Sequence, residues 1–147
     1  IVKALPELGR KTFYILNADT FWVDSQNSNL KRLAQSWDES RMDILLMLAD
    51  RHHSTGHEGR GDFHLNEDGT LHRVPVDERS DYIYAGAALV NSQLFAGKEI
   101  SVSSLNSYFN AAIAANRLYG MVMQGHWLTV GTPEAIGEAE AALLTLA

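Results

Sequence analysis

The chain has 147 residues, with 12 Lys and Arg against 18 Asp and Glu, 46% hydrophobic residues and no cysteine. That is one globular domain's worth of chain with enough apolar content for a real core, which excludes disordered, collagen-like and coiled-coil readings. A net charge of −6 with no basic run argues against a nucleic-acid reader, and without cysteine there is no disulfide, thiolate zinc site or Cys nucleophile.

The first residue is Ile1, and Ile1 to Leu8 reads as the tail of a helix closed by Gly9. Thr12 to Leu16 is β-branched, aromatic and apolar without alternation, which predicts a strand covered on both faces and ending at Asn17-Ala18-Asp19. Leu30, Leu33, Ala34 and Trp37 have helical spacing behind the cap residues Asn27 and Ser28. Met42 to Ala49 is a second buried strand, and the polar, glycine-rich stretch His52 to Gly61 is a loop.

Asp62 to Leu65 and Leu71 to Val74 flank Asn66-Glu67-Asp68-Gly69, a hairpin signal that leaves His64 and His72 toward solvent. Tyr82 to Val90 is a strand in which Gly86 allows a close backbone approach. Leu105, Tyr108, Phe109, Ala112 and Asn116 trace a helical face, and Leu118 to Met123 is a further strand. A short strand then runs through Trp127 into Gly131, and Thr132-Pro133-Glu134 opens the last helix with a hydroxyl cap and Pro at the first position. Its apolar face is Ile136, Ala139, Leu143 and Leu146. Helices alternating with strands in this way predict an α/β domain with a mixed, mostly parallel sheet. No stretch approaches the roughly 18 apolar residues of a membrane span.

Three constellations could carry chemistry. Asp19 follows a buried strand, where α/β sheets place ligands and where a carboxylate can hold a hard cation; from spacing alone, a turn cap is the stronger reading. The Gly131-Thr132-Pro133 helix start offers free N–H groups to an anion. In Asp77-Glu78-Arg79, Glu78 could accept from hydroxyls and Arg79 donate to phosphate, although alone the run reads as solvated charge. His53 and His57 are four apart, but Ser54-Thr55-Gly56 breaks helical geometry, so a mobile polar loop is preferred to zinc. There is no Gly-x-Ser-x-Gly elbow for an α/β-hydrolase.

Ile1 to Gly9, Phe13 to Asp19, Gly61-Asp62-Phe63, Tyr84 to Ala88, Arg117 to Gly120 and Trp127 to Ala135, in this order, resemble the sugar-1-phosphate nucleotidyltransferases. The resemblance is nearest to the branch of N-acetylmuramate-1-phosphate uridylyltransferases and mannose-1-phosphate guanylyltransferase-like proteins, which is bacterial. It implies a Rossmann-like, GT-A-like three-layer sandwich, and a nucleotidyl transfer from a nucleoside triphosphate to a sugar 1-phosphate in the cytoplasm. It implies Mg²⁺ held by Asp19, a catalytic role for Asp19, and substrate contacts from Asn17, Gly61, Glu78, Arg79 and Trp127. Relatives usually carry a second metal-binding aspartate two residues after the tryptophan; here that position is Thr129, a weaker ligand. The family's Gly-rich triphosphate loop is not in this sequence and is expected upstream of Ile1, so residues 1–147 are expected to be the C-terminal portion of one larger domain and inactive alone. Neither nucleic acid nor membrane is an expected partner, and uncovered strand edges would favour association. The rival expectation, resting on Thr129, is a non-catalytic binding or regulatory module on the same scaffold.

Overall fold

The computed structural model describes residues 1–9, 11–97 and 104–146. In chain order the elements are α1 (Leu5–Leu8), β1 (Phe13–Leu16), β2 (Thr20–Asp24), α2 (Asn29–Ser36), β3 (Ile44–Asp50), β4 (Ser54–Thr55), β5 (Phe63–Leu65), β6 (Leu71–Arg73), β7 (Tyr82–Val90), α3 (Leu105–Ala114), β8 (Leu118–Val122), β9 (Gly125–Thr129) and α4 (Pro133–Leu146). Most of the expected elements are present. The caps work as expected: the Ser28 hydroxyl accepts from Lys31 N and the Thr132 hydroxyl from Ala135 N. Gly9, at φ +76°, closes α1 with its N–H on the Leu5 carbonyl.

The main sheet is built around β7. β3 lines one edge of β7, and β8 lies parallel to β3 beyond it. The other edge of β7 carries two strands end to end. β1 pairs with its C-terminal half, Leu16 opposite Ala87, and β5 with its start, Phe63 opposite Tyr82. β6 closes the hairpin on β5. β1, β3, β5 and β8 thus share one direction, with β7 and β6 running against them. The sheet is mixed as expected. The insertion of β7 between parallel strands makes most of its hydrogen-bonded pairs antiparallel, which the order of elements alone could not reveal. A second, smaller sheet has the order β2-β9-β4.

Three layers result. On one face of the main sheet, Leu46, Leu48, Ala88, Val90 and Leu118 pack with Phe95 and with Phe109 and Ala112 of α3. On the other, Leu45, Met47, Ala85, Ala87 and Leu89 pack with Leu33 of α2 and Trp127 of the small sheet. β3 is buried on both faces, which is why its run of Leu, Met and Ala shows no alternation.

Four expectations change. β1 is covered on one face only: Phe13 and Ile15 pack into the core beside β7, while Tyr14 and Leu16 on the opposite face are exposed. β2 and β4 form where no strand was expected: each is short, and each exists through its pairing with β9. α4 buries Ala135 and Ala139 rather than Ile136 and Leu146, since small residues let the helix sit close on β4 and β9. His64 is half-buried, with its ring 5.1 Å from that of His72 directly across the hairpin.

Candidate active site

The site begins with a defect in β7. Leu46 pairs with Ala88 and Leu48 with Tyr84, so Met47 alone faces the three residues Ala85 to Ala87. Gly86 sits at this bulge with φ +81°, and a Cβ there would come within 2.2 Å of Thr20 Oγ1. The Ala85 carbonyl is thereby available to side chains. It accepts from Trp127 Nε1 at 2.9 Å and from Thr20 Oγ1 at 3.3 Å. Asn17 N donates to the Gly86 carbonyl at 2.7 Å, holding the end of β1 against the bulge.

This arrangement carries Asp19 to Thr129. Thr20 pairs with Thr129 at the end of the β2–β9 ladder. Val130 N donates to the Asp19 carbonyl at 2.8 Å, and Thr129 Oγ1 approaches the same oxygen at 3.4 Å. Gly131 completes the corner. A Cβ at that position would stand 3.5 Å from Asp19 Oδ2 and 3.9 Å from Thr129 Oγ1, so its absence leaves one open space beside both oxygens. Asp19 and Asn17 are exposed and Thr129 is half-exposed. Trp127 differs: it is 3% exposed, with its N–H satisfied inside the core. It positions β9 against β7 rather than presenting a surface to a ligand.

A second group forms where β5 meets β7. Gly61, at φ +84°, lies so close to Ser80 that a Cβ would be 2.4 Å from the Ser80 carbonyl. Ser80 N donates to the Arg60 carbonyl at 2.8 Å, and the buried Ser80 hydroxyl donates to that of Phe63. The segment carrying Glu78 and Arg79 is therefore pinned against Gly61. The Glu78 carboxylate meets His64 Nε2 at 3.0 Å, and both Glu78 and Arg79 are exposed. Asp62 links the two groups, since its Oδ2 accepts from Tyr84 N at 2.8 Å, two residues along β7 from Gly86. Both groups thus border the stretch of β7 that neither β1 nor β5 covers.

Two residues to which the sequence reading gives no role in the site join this region. Asp62 could have been noticed, because it follows Gly61 in a segment already singled out. His57 drew notice in the sequence only for its spacing from His53, which says nothing of its packing here. Its ring packs edge-on against Trp127 at 6.1 Å, and its Nε2 is buried with no partner among the described residues. The Tyr84 hydroxyl is likewise buried with no partner among the described residues, and burial pushes its pKa up to about 12. Elsewhere, His126 shares a hydrogen bond with Thr55 Oγ1 at 2.8 Å, and burial together with the charge of His53 lowers its pKa. Among the described residues no three His, Cys, Asp or Glu gather into a metal-binding group, and no helix is long and apolar enough to cross a membrane.

No family profile matches the chain. It is 31% identical over 143 residues to an N-acetylmuramate alpha-1-phosphate uridylyltransferase of Caulobacter vibrioides, aligning 97% of this chain with 59% of that protein. It is 29% identical over 142 residues to the protein of the same name in Neisseria meningitidis serogroup B, again covering 59% of it. The chain thus spans about 59% of the length of these curated relatives. Among solved structures, an inositol-1-phosphate CTP transferase from T. maritima matches with a TM-score of 0.71 at 14% identity, over 98% of this chain and 59% of that one. An apo UDP-glucose pyrophosphorylase matches with a TM-score of 0.67 at 16% identity, over 98% and 58%. At these identities the solved structures speak for the fold.

Proposed function

We propose that this chain, a relative in sequence and in fold of the sugar-1-phosphate nucleotidyltransferases, supplies the sugar- and metal-binding part of a domain that joins a nucleotide to a sugar 1-phosphate. An oxygen of the sugar phosphate attacks the α-phosphorus of a nucleoside triphosphate. The bond from that phosphorus to the bridging oxygen breaks, and pyrophosphate leaves. Such chemistry asks little of protein acids and bases and much of positioning and charge neutralisation. The observation that carries the reading is the meeting of Asp19 and Thr129, 110 positions apart, across the open corner at Gly131.

The donor set there suits Mg²⁺ in a particular way. Mg²⁺ is commonly held by one or two carboxylates and completed by water and substrate phosphates. One carboxylate, one hydroxyl and a glycine in place of a side chain match that pattern. Asp19 and Thr129 would hold the ion, which supplies charge neutralisation on the phosphate oxygens. Asn17 presents its amide at the same strand end. Gly61 brings backbone against the sugar, Glu78 accepts from its hydroxyls, and Arg79 donates to its phosphate. Trp127 acts from beneath by fixing β9. In this reading residues 1–147 are the C-terminal portion of one nucleotidyltransferase domain in the bacterial cytoplasm, where nucleoside triphosphates are available.

The test is pyrophosphate release by the full-length protein given UTP or GTP, a sugar 1-phosphate and Mg²⁺, with Asp19→Asn beside it. Mg²⁺-dependent turnover lost in the variant supports the proposal; turnover indifferent to Asp19 would sink it. The 147-residue chain assayed alone is expected to show none. A second reading, a non-catalytic module on the same scaffold, is favoured by one observation: Thr129 stands where the resemblance expects a carboxylate. Thr129→Asp in the full-length protein separates the two. A large gain in Mg²⁺-dependent rate marks a degenerate site, and no gain marks an enzyme adapted to threonine.

A further inference from the structure

One segment joins the two groups of the site. It runs from the end of β4 at Thr55 to the start of β5 at Phe63 and contains Gly56, Gly59 and Gly61. At its start it presses on the Asp19–Thr129 corner. A Cβ on Gly56 would stand 2.9 Å from the Thr129 carbonyl oxygen and 3.5 Å from Ala135 Cβ, at the head of α4. At its end Gly61 lies against the Ser80 carbonyl, and Ser80 N donates to the Arg60 carbonyl at 2.8 Å. Between these two contacts the His57 ring is clasped. Trp127 packs edge-on with it at 6.1 Å, and a Cβ on Gly59 would come within 2.6 Å of its Nε2. Trp127 is itself tied to the β7 bulge by its bond to the Ala85 carbonyl at 2.9 Å.

Residues 56–61 belong to no strand or helix. A stretch so rich in glycine has little stiffness of its own, because glycine backbone adopts many conformations. The span from Thr129 to Gly61 is therefore set by what is wedged into it, and the His57 ring is that wedge. Packed side chains hold such a span because close packing permits few arrangements. The span matters for the reaction. A sugar phosphate held at Gly61 must meet a phosphorus held beside Asp19, and a misplacement of about 1 Å costs on the order of 10²-fold in rate.

We propose that His57 is a positioning residue that fixes the distance between the Asp19–Thr129 corner and the backbone at Gly61, so that a sugar phosphate held at one meets the ion held at the other. The inference rests on the nucleotidyltransferase reading above. His57 acts by the shape of its ring and exchanges no proton with the substrate. Each half of the site then binds its own ligand with or without the ring. What the ring supplies is the effect of one ligand on the other, and that effect is reciprocal.

The experiment is titration calorimetry of the full-length protein with N-acetylmuramate α-1-phosphate and mannose α-1-phosphate, with and without Mg²⁺, beside turnover with UTP or GTP. In wild type, Mg²⁺ is expected to tighten sugar 1-phosphate binding on the order of tenfold, an ordinary coupling between sites. In His57→Ala that tightening should vanish and kcat should fall on the order of 10²-fold. Affinity for the sugar without Mg²⁺, and for Mg²⁺ without the sugar, should stay near wild type. His57→Phe keeps a ring against Trp127 and should retain most of the coupling and most of kcat. Gly59→Ala pushes on the ring with His57 intact. It should repeat the loss, and it keeps the test decisive if His57→Ala perturbs folding. Wild-type protein that binds a sugar without response to Mg²⁺ overturns the proposal, as does unchanged coupling in folded His57→Ala and Gly59→Ala. So does the loss of one ligand's own affinity in His57→Ala, which would assign the ring to that half alone. Folded His57→Phe that fails like His57→Ala also overturns it, since the ring nitrogens would then carry the role. Wild-type protein that binds neither sugar and shows no Mg²⁺-dependent turnover overturns the nucleotidyltransferase reading itself.

Discussion

The two halves of the candidate site are held by different means. Asp19 and Thr129 are placed by strand register: the β2–β9 ladder ends at Thr20 and Thr129, and the bulge at Gly86 turns a carbonyl out to receive Thr20 and Trp127. Glu78 and Arg79 sit on an exposed turn pinned at Gly61 and Ser80, and the Glu78 carboxylate is steadied by His64. The metal-assisted transfer proposed for the first half would punish small displacements, and backbone ladders limit them. Recognition of a sugar tolerates, and can be tuned by, loop residues on a rigid frame.

The largest expected effect tests the rigid half. In the full-length protein, Asp19→Asn should lower kcat on the order of 10²–10³-fold, the scale of losing one preorganised charge-stabilising group. Because Asp19 is exposed, the melting temperature should barely move. A large loss of stability would show that Asp19 is instead a structural cap. Next, Gly86→Ala should destabilise by about 2–3 kcal/mol in chemical denaturation, because a Cβ meets Thr20 at a left-handed φ. A neutral result would mean the bulge does not hold the halves together.

The loop-borne half predicts a milder signature. Glu78→Gln should raise KM for the sugar 1-phosphate by about tenfold with kcat nearly preserved, the pattern of lost uniform binding. A fall in kcat alone would move Glu78 into the chemistry. Two pH effects are smaller still. The folded-state pKa of His126 is lowered, so the folded state resists its protonation, and stability should fall as pH drops from about 6.5 through that lowered value. Melting curves of wild type and His126→Gln across that window check this, with the variant flatter. Tyr84, raised to about 12, should give the opposite edge: stability lost as pH climbs above about 10, where the unfolded chain ionises first. Tyr84→Phe should remove that loss and be neutral or slightly stabilising at neutral pH, since the hydroxyl is buried with no partner among the described residues.

The resemblance in sequence points to the same proteins that the comparisons found, and the structure sets Asn17 and Asp19 just past β1 and Gly61 just before β5, against Ser80. It missed β2 and β4 because strands of five and two residues carry too little pattern to be read without their partner β9. It gave Trp127 a ligand-facing part because a tryptophan in a motif looks the same whether its indole points at a substrate or at Ala85.

What the sequence by itself determined is local. Unbroken apolar runs made β3 and β7, hydroxyl and proline caps started α2 and α4, and Asp68-Gly69 turned the hairpin. These follow from each residue's own geometry and hydration. Which strand lies beside which was decided only in three dimensions. The meeting of Asp19 with Thr129 and the one-sided cover of β1 depend on pairings between distant segments. Those pairings are set by the joint packing of both faces of β7, and no single segment contains that information.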